Sequence, residues 1–222
     1  SGVGFCVFEV TVNGELSTDE INSSAFEIDF NNFKLKLGDP IIVNIKHKDD
    51  CDVQVLNPDV LKPKSTFNTS QISFSKDGVL NWTTNNETGE MDYIVEQFRW
   101  NKWVKVGEVK GKGVPGAHKY SFKVTPHSGA NKARVKQVDY TGKPRYSPAA
   151  EFTSSVPEIS LEGKTKFKDE IAFTNGETLY EIYDKYGNIV KRGFGAKANI
   201  STLEKGIYYL SYDNKTETIT IR

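Results

Sequence analysis

Short stretches in which apolar and polar residues alternate, each closed by turn residues, run through most of this 222-residue chain. Successive side chains of a strand point to opposite faces of a sheet, so a period of two is typical of half-buried strands. The single helical signal, the capping-box spacing of Ser17 and Glu20, is followed by residues that form helices poorly. The pattern therefore predicts an all-β fold.

Two proline-containing stretches and a changing charge divide the chain into three units. Residues 1–64 carry an excess of acidic side chains, residues 65–155 an excess of basic ones, and residues 156–222 are balanced, within a formal net charge of zero. The first boundary follows Pro58 and Pro63. Seven short strands in the central unit are typical of a β-sandwich. The sequence predicts three small immunoglobulin-like β-sandwich domains in tandem.

Individual strands follow from the same alternation. Asn13 and Gly14 form a turn dipeptide that favours a two-residue hairpin after the first strand. Strands are expected in residues 5–12, 25–30, 33–37 and 41–47; in residues 71–74, 79–83, 93–100, 103–109, 120–124, 133–140 and 146–152; and in residues 158–161, 166–173, 178–183, 188–192, 207–212 and 217–221.

Both cysteines, Cys6 and Cys51, lie in the first unit. A disulfide between them would close a loop of about 45 residues and stabilise the unit by about 4 kcal/mol. A domain of this size has a small core and needs such help. Two separate buried thiols are the alternative, and a catalytic cysteine is disfavoured because no histidine stands in a motif that marks a general base. The disulfide implies maturation outside the cytosol.

Composition and motifs narrow the classes of function. A zero net charge argues against a nucleic-acid partner, because affinity for phosphates requires a surplus of basic side chains. No apolar run approaches the ~18 residues that a membrane-spanning helix needs. No motif for a nucleophile, a metal hydrolase or a phosphate loop occurs, so we expect no catalytic residue, metal or cofactor, with a small hydrolase as a minor alternative. Acidic pairs such as Glu87 and Glu90 are interpreted as surface charges.

An aromatic run between Tyr93 and Trp103 stands out in the central unit. In a strand, Tyr93 and Val95 share one face, whereas Ile94, Phe98 and Trp100 share the other. Only one face can enter a sandwich core. The second set therefore packs against an edge or a neighbouring unit, or it forms a surface for a partner or a glycan. The candidate partner-binding residues are Ile94, Phe98, Trp100 and Trp103.

A basic stripe is expected on a later strand of the same unit, where Lys132, Arg134 and Lys136 alternate. Alternating positions of a strand share one face, so the three cations point the same way. The stripe is interpreted as a solvated surface, with contact to an anionic envelope polymer as the alternative.

Two motifs in the last unit carry a family resemblance. One has the pattern Tyr-Asp-x-x-Gly, and the other has the pattern Ile-x-x-Leu-x-x-Gly-x-Tyr. Over residues 157–222 this arrangement resembles the C-terminal sorting domain of cargo proteins of the type IX secretion system of Gram-negative bacteria. The matching residues are Tyr183, Asp184 and Gly187, then Ile200, Leu203, Gly206 and Tyr208.

The end of the chain departs from that family pattern. The family often has a second lysine four residues after the position of Lys215, and here it is missing, whereas Arg222 supplies the basic terminus. Gly206 is expected in a turn that needs a positive φ. The resemblance implies that the sorting-signal residues are Tyr183, Asp184, Gly187, Leu203, Gly206, Tyr208 and Lys215.

The central unit, residues 65–155, looks like a fibronectin type III-related module of the kind that precedes such tails. The matching stretches are residues 80–82, 93–96, 106–109 and 135–142. Together, the resemblances imply a non-enzymatic exported protein. Its tail docks on the outer-membrane translocon, a sortase removes it and couples the body to anionic lipopolysaccharide, and the protein reports the state of secretion to an envelope sensor. A glycan-binding or adhesive module is the alternative.

Overall fold

Eighteen β-strands and two short 3-10 helices form the regular structure in this computed structural model, which describes residues 5–36, 39–163 and 165–222. The prediction of an all-β fold is confirmed. Within the described residues, no helix has the length and apolar character needed to cross a membrane.

The first unit contains one three-stranded antiparallel sheet with the order β2-β1-β3. The predicted hairpin is confirmed: Val12 pairs with Glu15, and Asn13 and Gly14 between them have φ values of 49° and 83°. Both residues of this turn type need a positive φ, which asparagine and glycine tolerate. The strands are β1 (Val7–Val12), β2 (Glu15–Leu16) and β3 (Val43–His47).

The strands expected at residues 25–30 and 33–37 do not form in the described part of this segment, and Leu37 lies outside the described residues. A 3-10 helix spans Phe30–Asn32 instead, and the carboxylate of Asp29 accepts a hydrogen bond from the backbone N–H of Asn31 at 2.9 Å. Short polar side chains that bond to the nearby backbone compete with strand pairing. The described residues of the first unit therefore contribute one sheet rather than two facing sheets.

The second unit is an immunoglobulin-like β-sandwich. A three-stranded sheet, β4-β5-β8, faces a sheet in which β9, β6 and β7 lie side by side and both β10 and β11 pair with β9. Leu80, Trp82, Tyr93, Val95 and Val135 belong to one buried cluster between the two sheets. The strands are β4 (Asn68–Phe74), β5 (Val79–Asn85), β6 (Asp92–Arg99), β7 (Lys102–Lys110), β8 (His118–Lys123), β9 (Gly129–Val138), β10 (Pro144–Tyr146) and β11 (Ala150–Ser154).

The strand expected at residues 146–152 is divided into β10 and β11. Between them, Ser147 bonds to Val135 through both its backbone N–H and its hydroxyl oxygen. Pro148 follows and has no N–H to donate to a neighbouring strand, so regular pairing stops there.

The third unit has a five-stranded sheet with the order β12-β18-β17-β14-β15 and a separate pair, β13 with β16. Ile171, Ile182, Ile200, Leu210 and Ile219 are buried together between them. The strands are β12 (Lys166–Phe167), β13 (Glu170–Ala172), β14 (Thr178–Tyr183), β15 (Ile189–Gly195), β16 (Lys197–Asn199), β17 (Gly206–Tyr212) and β18 (Lys215–Ile221).

The five-stranded sheet has two distinct ends. Tyr183 at the end of β14 pairs with Tyr209 near the start of β17, so the β14–β15 turn and the loop before Gly206 lie at the same end. The β17–β18 turn, Asp213 and Asn214, lies at the opposite end.

The strand expected at residues 158–161 contributes only an isolated bridge from Leu161 to Phe173, and the strand expected at 166–173 is divided into β12 and β13.

Candidate functional site: the junction of the second and third units

The turn between β6 and β7 consists of two residues, Trp100 and Asn101, with φ values of 53° and 59°. Arg99 and Lys102 pair across it. A hairpin of this length favours a left-handed backbone at both central residues, and a tryptophan in that region is uncommon. Such a conformation persists only where surrounding contacts hold it.

Arg99, immediately before this turn, is a buried cation with 2% of its surface exposed. Its guanidinium donates to Gln97 Oε1 at 2.7 Å, to the backbone oxygen of Asp213 at 3.1 Å and to the backbone oxygen of Thr125 at 2.6 Å. Burial lowers the pKa of Arg99 to about 10, so the group is still charged at neutral pH. The hydrogen bond to Asp213 reaches from the second unit into the third.

The side chain of Asp213, in the β17–β18 turn of the third unit, also bonds to the second unit. Its carboxylate accepts from the backbone N–H of Ser128 at 2.8 Å and from the Ser128 hydroxyl at 2.5 Å. It also accepts from the backbone N–H of Ile159 at 3.4 Å. The Asn214 amide donates to the Ser128 backbone oxygen at 3.0 Å. The turn of the third unit is therefore seated in the second by side-chain and backbone hydrogen bonds.

A second contact between the two units involves Lys102. Its ammonium lies 2.6 Å from Glu181 Oε2 and donates to the hydroxyl of Tyr183. Burial alone would lower the pKa of Lys102, but the hydrogen bonds to Glu181 and Tyr183 outweigh it and raise the pKa. Tyr183, a predicted sorting-signal residue, is therefore engaged by the second unit.

A pocket of about 310 Å³ lies beside these contacts. His127 in its wall is 4% exposed, and its Nδ1 is 2.8 Å from the Ser128 backbone oxygen. Burial is the main cause that lowers the pKa of His127. Within the described residues, neither His127 Nε2 nor Trp100 Nε1, both buried, has a hydrogen-bond partner. The lining residues are Phe98, Arg99, Trp100, Asn101, His127, Ala130 and Asn214.

The candidate partner-binding residues Ile94, Phe98, Trp100 and Trp103 are all half-buried. The predicted alternation is confirmed for Ile94 and Phe98, which lie opposite the buried face of β6 that carries Tyr93 and Val95. Trp100 does not share their face, because the strand ends at Arg99 and Trp100 belongs to the turn. Phe98 and Trp103 pack edge to face across β6 and β7, with ring centroids 5.3 Å apart.

Arg134 of the predicted basic stripe lies between two aromatic rings on the outer face of the large sheet. Its guanidinium carbon is 4.1 Å from the centroid of Trp103 and 4.0 Å from that of Tyr146, and its Nε donates to Glu96 at 2.8 Å. Lys136 also pairs with Glu96, at 2.5 Å, and Lys132 pairs with Glu151, at 2.7 Å. Each cation of the stripe therefore has an acidic partner from this chain.

The motif residues of the β14–β15 turn form a compact hydrogen-bonded loop. The Asp184 carboxylate accepts from the backbone N–H groups of Tyr186 and Asn188 and from the Asn188 amide, at 2.8 to 2.9 Å. The bond from the Asn188 side chain is the largest cause that lowers the pKa of Asp184. Gly187 has a φ of 86°, as a tight turn requires.

The second motif occupies the same end of the sheet. Leu203 and Tyr208 pack against the core of the third unit, and the Tyr208 hydroxyl donates to the Glu204 backbone oxygen at 2.9 Å. The expected positive φ at Gly206 is wrong. Gly206 is the first residue of β17, paired with Ile221, and an added Cβ would meet only Tyr208, at an ordinary distance of 3.6 Å.

Lys215 is separated from the other predicted sorting residues. It lies next to the β17–β18 turn, pairs with Glu158 at 2.7 Å and is 5.2 Å from the ring centroid of Tyr212. The structure therefore brings six of the seven residues to one end of the third unit and leaves Lys215 at the other.

Cys6 and Cys51 are free thiols in the structure. They lie side by side, and the hydrogen bond with Cys6 is the main cause that raises the pKa of Cys51 to about 11. The disulfide between them stays a prediction.

Glu87 is not the surface charge that the sequence indicated, because it is 2% exposed. Its carboxylate accepts from the hydroxyls of Thr84, Tyr93 and Tyr120 and from the backbone N–H groups of Lys112 and Gly113. The signal was present in the alternation, which directs Tyr93 into the core, where a tyrosine hydroxyl needs an acceptor.

Over the described residues, no group of three potential metal ligands occurs.

No protein-family model matches the chain, and no curated protein matches it. A biofilm-associated protein BSP domain overlaps 70% of this chain and 29% of its own length, at 16% identity and a TM-score of 0.27. Fibronectin(III)-like modules of Clostridium thermocellum CbhA overlap 70% of this chain and 93% of theirs, at 12% identity and a TM-score of 0.24. A tetra-tandem repeat of a large adhesion protein overlaps 70% and 46%, at 13% identity and a TM-score of 0.27. At TM-scores this low, these overlaps carry no argument about fold or function.

Proposed function

We propose that this chain is a non-enzymatic, exported cell-surface protein whose last unit, residues 156–222, is recognised by a type IX secretion translocon. The observation that carries the proposal is the placement of the motif residues. Tyr183, Asp184 and Gly187 lie at the same end of the sheet as Leu203 and Tyr208, opposite the Asp213 turn that is seated in the second unit. The Tyr183 hydroxyl is held by Lys102 of the second unit, but the exposed residues of the β14–β15 turn and the start of β17 remain accessible while the two units stay joined.

The same end of the sheet exposes apolar side chains. On the outer face of β17, Ile207 is 60% exposed and Tyr209 is 44% exposed, and Tyr186 projects from the neighbouring turn. Contiguous exposed apolar side chains mark interaction sites on soluble proteins. This surface supports docking on a translocon subunit.

Two further steps belong to the proposal. After export, a sortase removes the last unit and couples the body to anionic lipopolysaccharide, and the exported protein reports the state of the secretion system to an envelope sensor. The resemblance of the two motifs to the sorting-domain pattern supports these steps, and the body, residues 1–64 and 65–155, would carry the report.

The experiment is surface display of a reporter in a bacterium with a type IX system. A periplasmic reporter is fused to residues 65–222, which keeps the junction intact, or to residues 156–222. Both fusions should reach the cell surface, measured by protease accessibility on whole cells. Retention of both fusions in the periplasm contradicts the proposal.

Matched substitutions locate the recognised end. Ile207→Ser combined with Tyr209→Ser should reduce display several-fold, because apolar contact with the translocon is lost. Phe194→Ser removes a similarly exposed side chain (52%) at the far end of the same face and should leave display unchanged. Equal loss from both changes would contradict docking through the free end.

The alternative, a glycan-binding or adhesive surface built from Ile94, Phe98, Trp100 and Trp103, has weaker support. All four side chains are half-buried, and Trp103 packs against Phe98 and Arg134. This packing favours a structural role for the outer face over an open platform.

A further inference from the structure

The five-stranded sheet of the third unit ends in an open edge at β15, which pairs only with β14 among the described residues. Alternate backbone N–H and C=O groups of an edge strand point away from its neighbour and can pair with another strand. Within the described residues, no backbone hydrogen bond outside the β14–β15 ladder reaches Ile189–Gly195. This seven-residue strand can therefore accept a further strand beside it.

The edge carries positive charge that this chain does not neutralise. Neither Lys191 nor Arg192 has an ion-pair partner among the described residues, because Glu181, opposite Arg192, is paired with Lys102. Two copies of β15 that paired antiparallel about Arg192 would place like charges opposite each other, which is unfavourable. The edge therefore favours an acidic strand over a second β15.

Residues 25–28 alternate like a strand but have no partner strand. Phe26 and Ile28 are half-buried and Glu27 is exposed, as the period of two requires, yet no strand forms there. Within the described residues, the backbone N–H groups of Phe26, Glu27 and Ile28 have no hydrogen-bond partner. The segment ends before Asp29, whose carboxylate caps the 3-10 helix. Its backbone is therefore available for pairing.

The charge of this segment is opposite to that of the β15 edge. The exposed side chain of Glu27 has no ion-pair partner among the described residues, and Asp29 places a second exposed carboxylate close by. The first 33 residues of the chain contain no lysine, arginine or histidine. The segment and the edge are therefore complementary in both backbone pairing and charge.

We propose that residues 25–28 of one copy of this chain add to β15 of a second copy as an antiparallel strand, with Glu27 opposite Arg192. This register places Phe26 opposite Gly193, where an aromatic ring can cover the glycine. A shift by one residue would turn Glu27 to the other face of the sheet, away from Arg192. Each copy supplies one segment and one edge, so the assembly is head-to-tail. It goes beyond the proposed export function and does not depend on it.

The test is sedimentation velocity of the whole chain over a concentration series, with a reducing agent so that the cysteines do not cross-link copies. A contact of one strand is small, so we expect association with a Kd of about 100 µM. High salt should weaken it, because exposed charges are screened.

Charge reversals locate the contact. Glu27→Lys and Arg192→Glu, each alone, place like charges opposite each other and should raise the Kd at least about tenfold. A mixture of the two variants should associate again, because every contact between unlike copies then joins opposite charges. Glu15→Lys makes the same charge change on β2 and should leave the Kd unchanged. All three side chains are exposed, so the variants should fold.

Hydrogen exchange identifies the strands that pair. At high concentration, the amides of residues 26–28 and of β15 should gain protection. A monomer at every concentration, a Kd that either reversal leaves unchanged, a mixture that stays monomeric, or protection elsewhere would each overturn the proposal. The reporter fusions lack residues 25–28, so these results leave the proposed function unaffected.

Discussion

Glu87 holds a buried negative charge at one end of the second unit, with five donors around it. Burial alone would raise the pKa of this carboxyl, but hydrogen bonds from Thr84, Gly113, Tyr120 and Tyr93 outweigh it and lower the pKa below the ordinary value of 4.5. A carboxyl with a depressed pKa in the folded state stabilises the fold above its unfolded pKa, and that contribution is lost as the pH falls through the folded pKa.

Glu87→Gln should therefore destabilise the protein by about 2 kcal/mol at pH 7, because the charged acceptor is lost and a buried amide cannot satisfy all five donors. The difference from the unchanged protein should shrink as the pH falls below about 4.5, where the carboxyl of the unfolded chain takes up a proton, and should be lost as the pH falls through the lower pKa of the folded state. Urea unfolding at pH 7 and at pH 3 measures both effects.

Glu90→Gln is the control for this prediction. Glu90 is exposed and pairs with Lys110 at 3.0 Å on the surface. Exposed pairs contribute little, so the free energy of unfolding should change by less than about 0.5 kcal/mol at either pH. A loss as large as that of Glu87→Gln would mean that the buried hydrogen bonds are not the cause.

At the scale of elements, the two glycines of the sorting motifs differ in whether the backbone conformation requires a glycine. Gly187→Ala should destabilise the third unit by about 1 kcal/mol, because its φ of 86° strains any residue with a Cβ. Gly206→Ala should change stability by less than about 0.5 kcal/mol, because β17 starts there without a positive φ and with room for a Cβ. Thermal unfolding of both variants measures the difference, and equal effects would contradict it.

Strands that alternate strongly could be predicted from the sequence, and strands that depend on local polar bonds could not. The Asn13-Gly14 hairpin and β14 follow directly from turn chemistry and period two. The strand expected at residues 25–30 does not form, because Asp29 bonds to the backbone of Asn31, an interaction that the alternation does not predict. The strand at 146–152 fails because Pro148 interrupts it.

The candidate site, too, could be predicted only in part from the sequence. The opposite faces of Tyr93 and Ile94 were predictable, because they depend only on strand geometry. The partners of Arg99 were not, since Asp213 lies 114 residues further along the chain. One signal was available: Arg99 alternates onto the core-facing side of β6, and a buried cation needs a partner. Nothing in the sequence indicated which residue supplies it.

At the scale of the whole molecule, the Asp213 turn couples the second and third units. Asp213→Asn keeps a residue that tolerates the left-handed backbone but removes the charge near Arg99 and one strong acceptor of Ser128. We expect a loss of about 2 kcal/mol. We also expect residues 65–222 to unfold in one calorimetric transition in the unchanged protein and in two in the variant, because the contacts that remain, such as Lys102 with Glu181, couple the units less.

Asp184→Asn is the matched control, since Asp184 occupies the turn at the opposite end of the same sheet. Its hydrogen bonds stay within one turn, so the substitution should leave one transition for the two units. Two transitions in the unchanged protein, or one transition in Asp213→Asn, would show that the carboxylate of Asp213 does not couple the units.

The hydrogen bonds that join the Asp213 turn to the second unit also determine how the chain responds to a pulling force. The backbone passes from the second unit to the third through residues 155–158, and Asp213 holds Ser128 before this passage and the N–H of Ile159 after it. When the last unit is held and the body is pulled, the bonds from Ser128 and Arg99 to Asp213 stretch together before the passage can straighten. Bonds strained in parallel resist more than bonds strained one at a time. The connection between the two units therefore resists extension until these hydrogen bonds break.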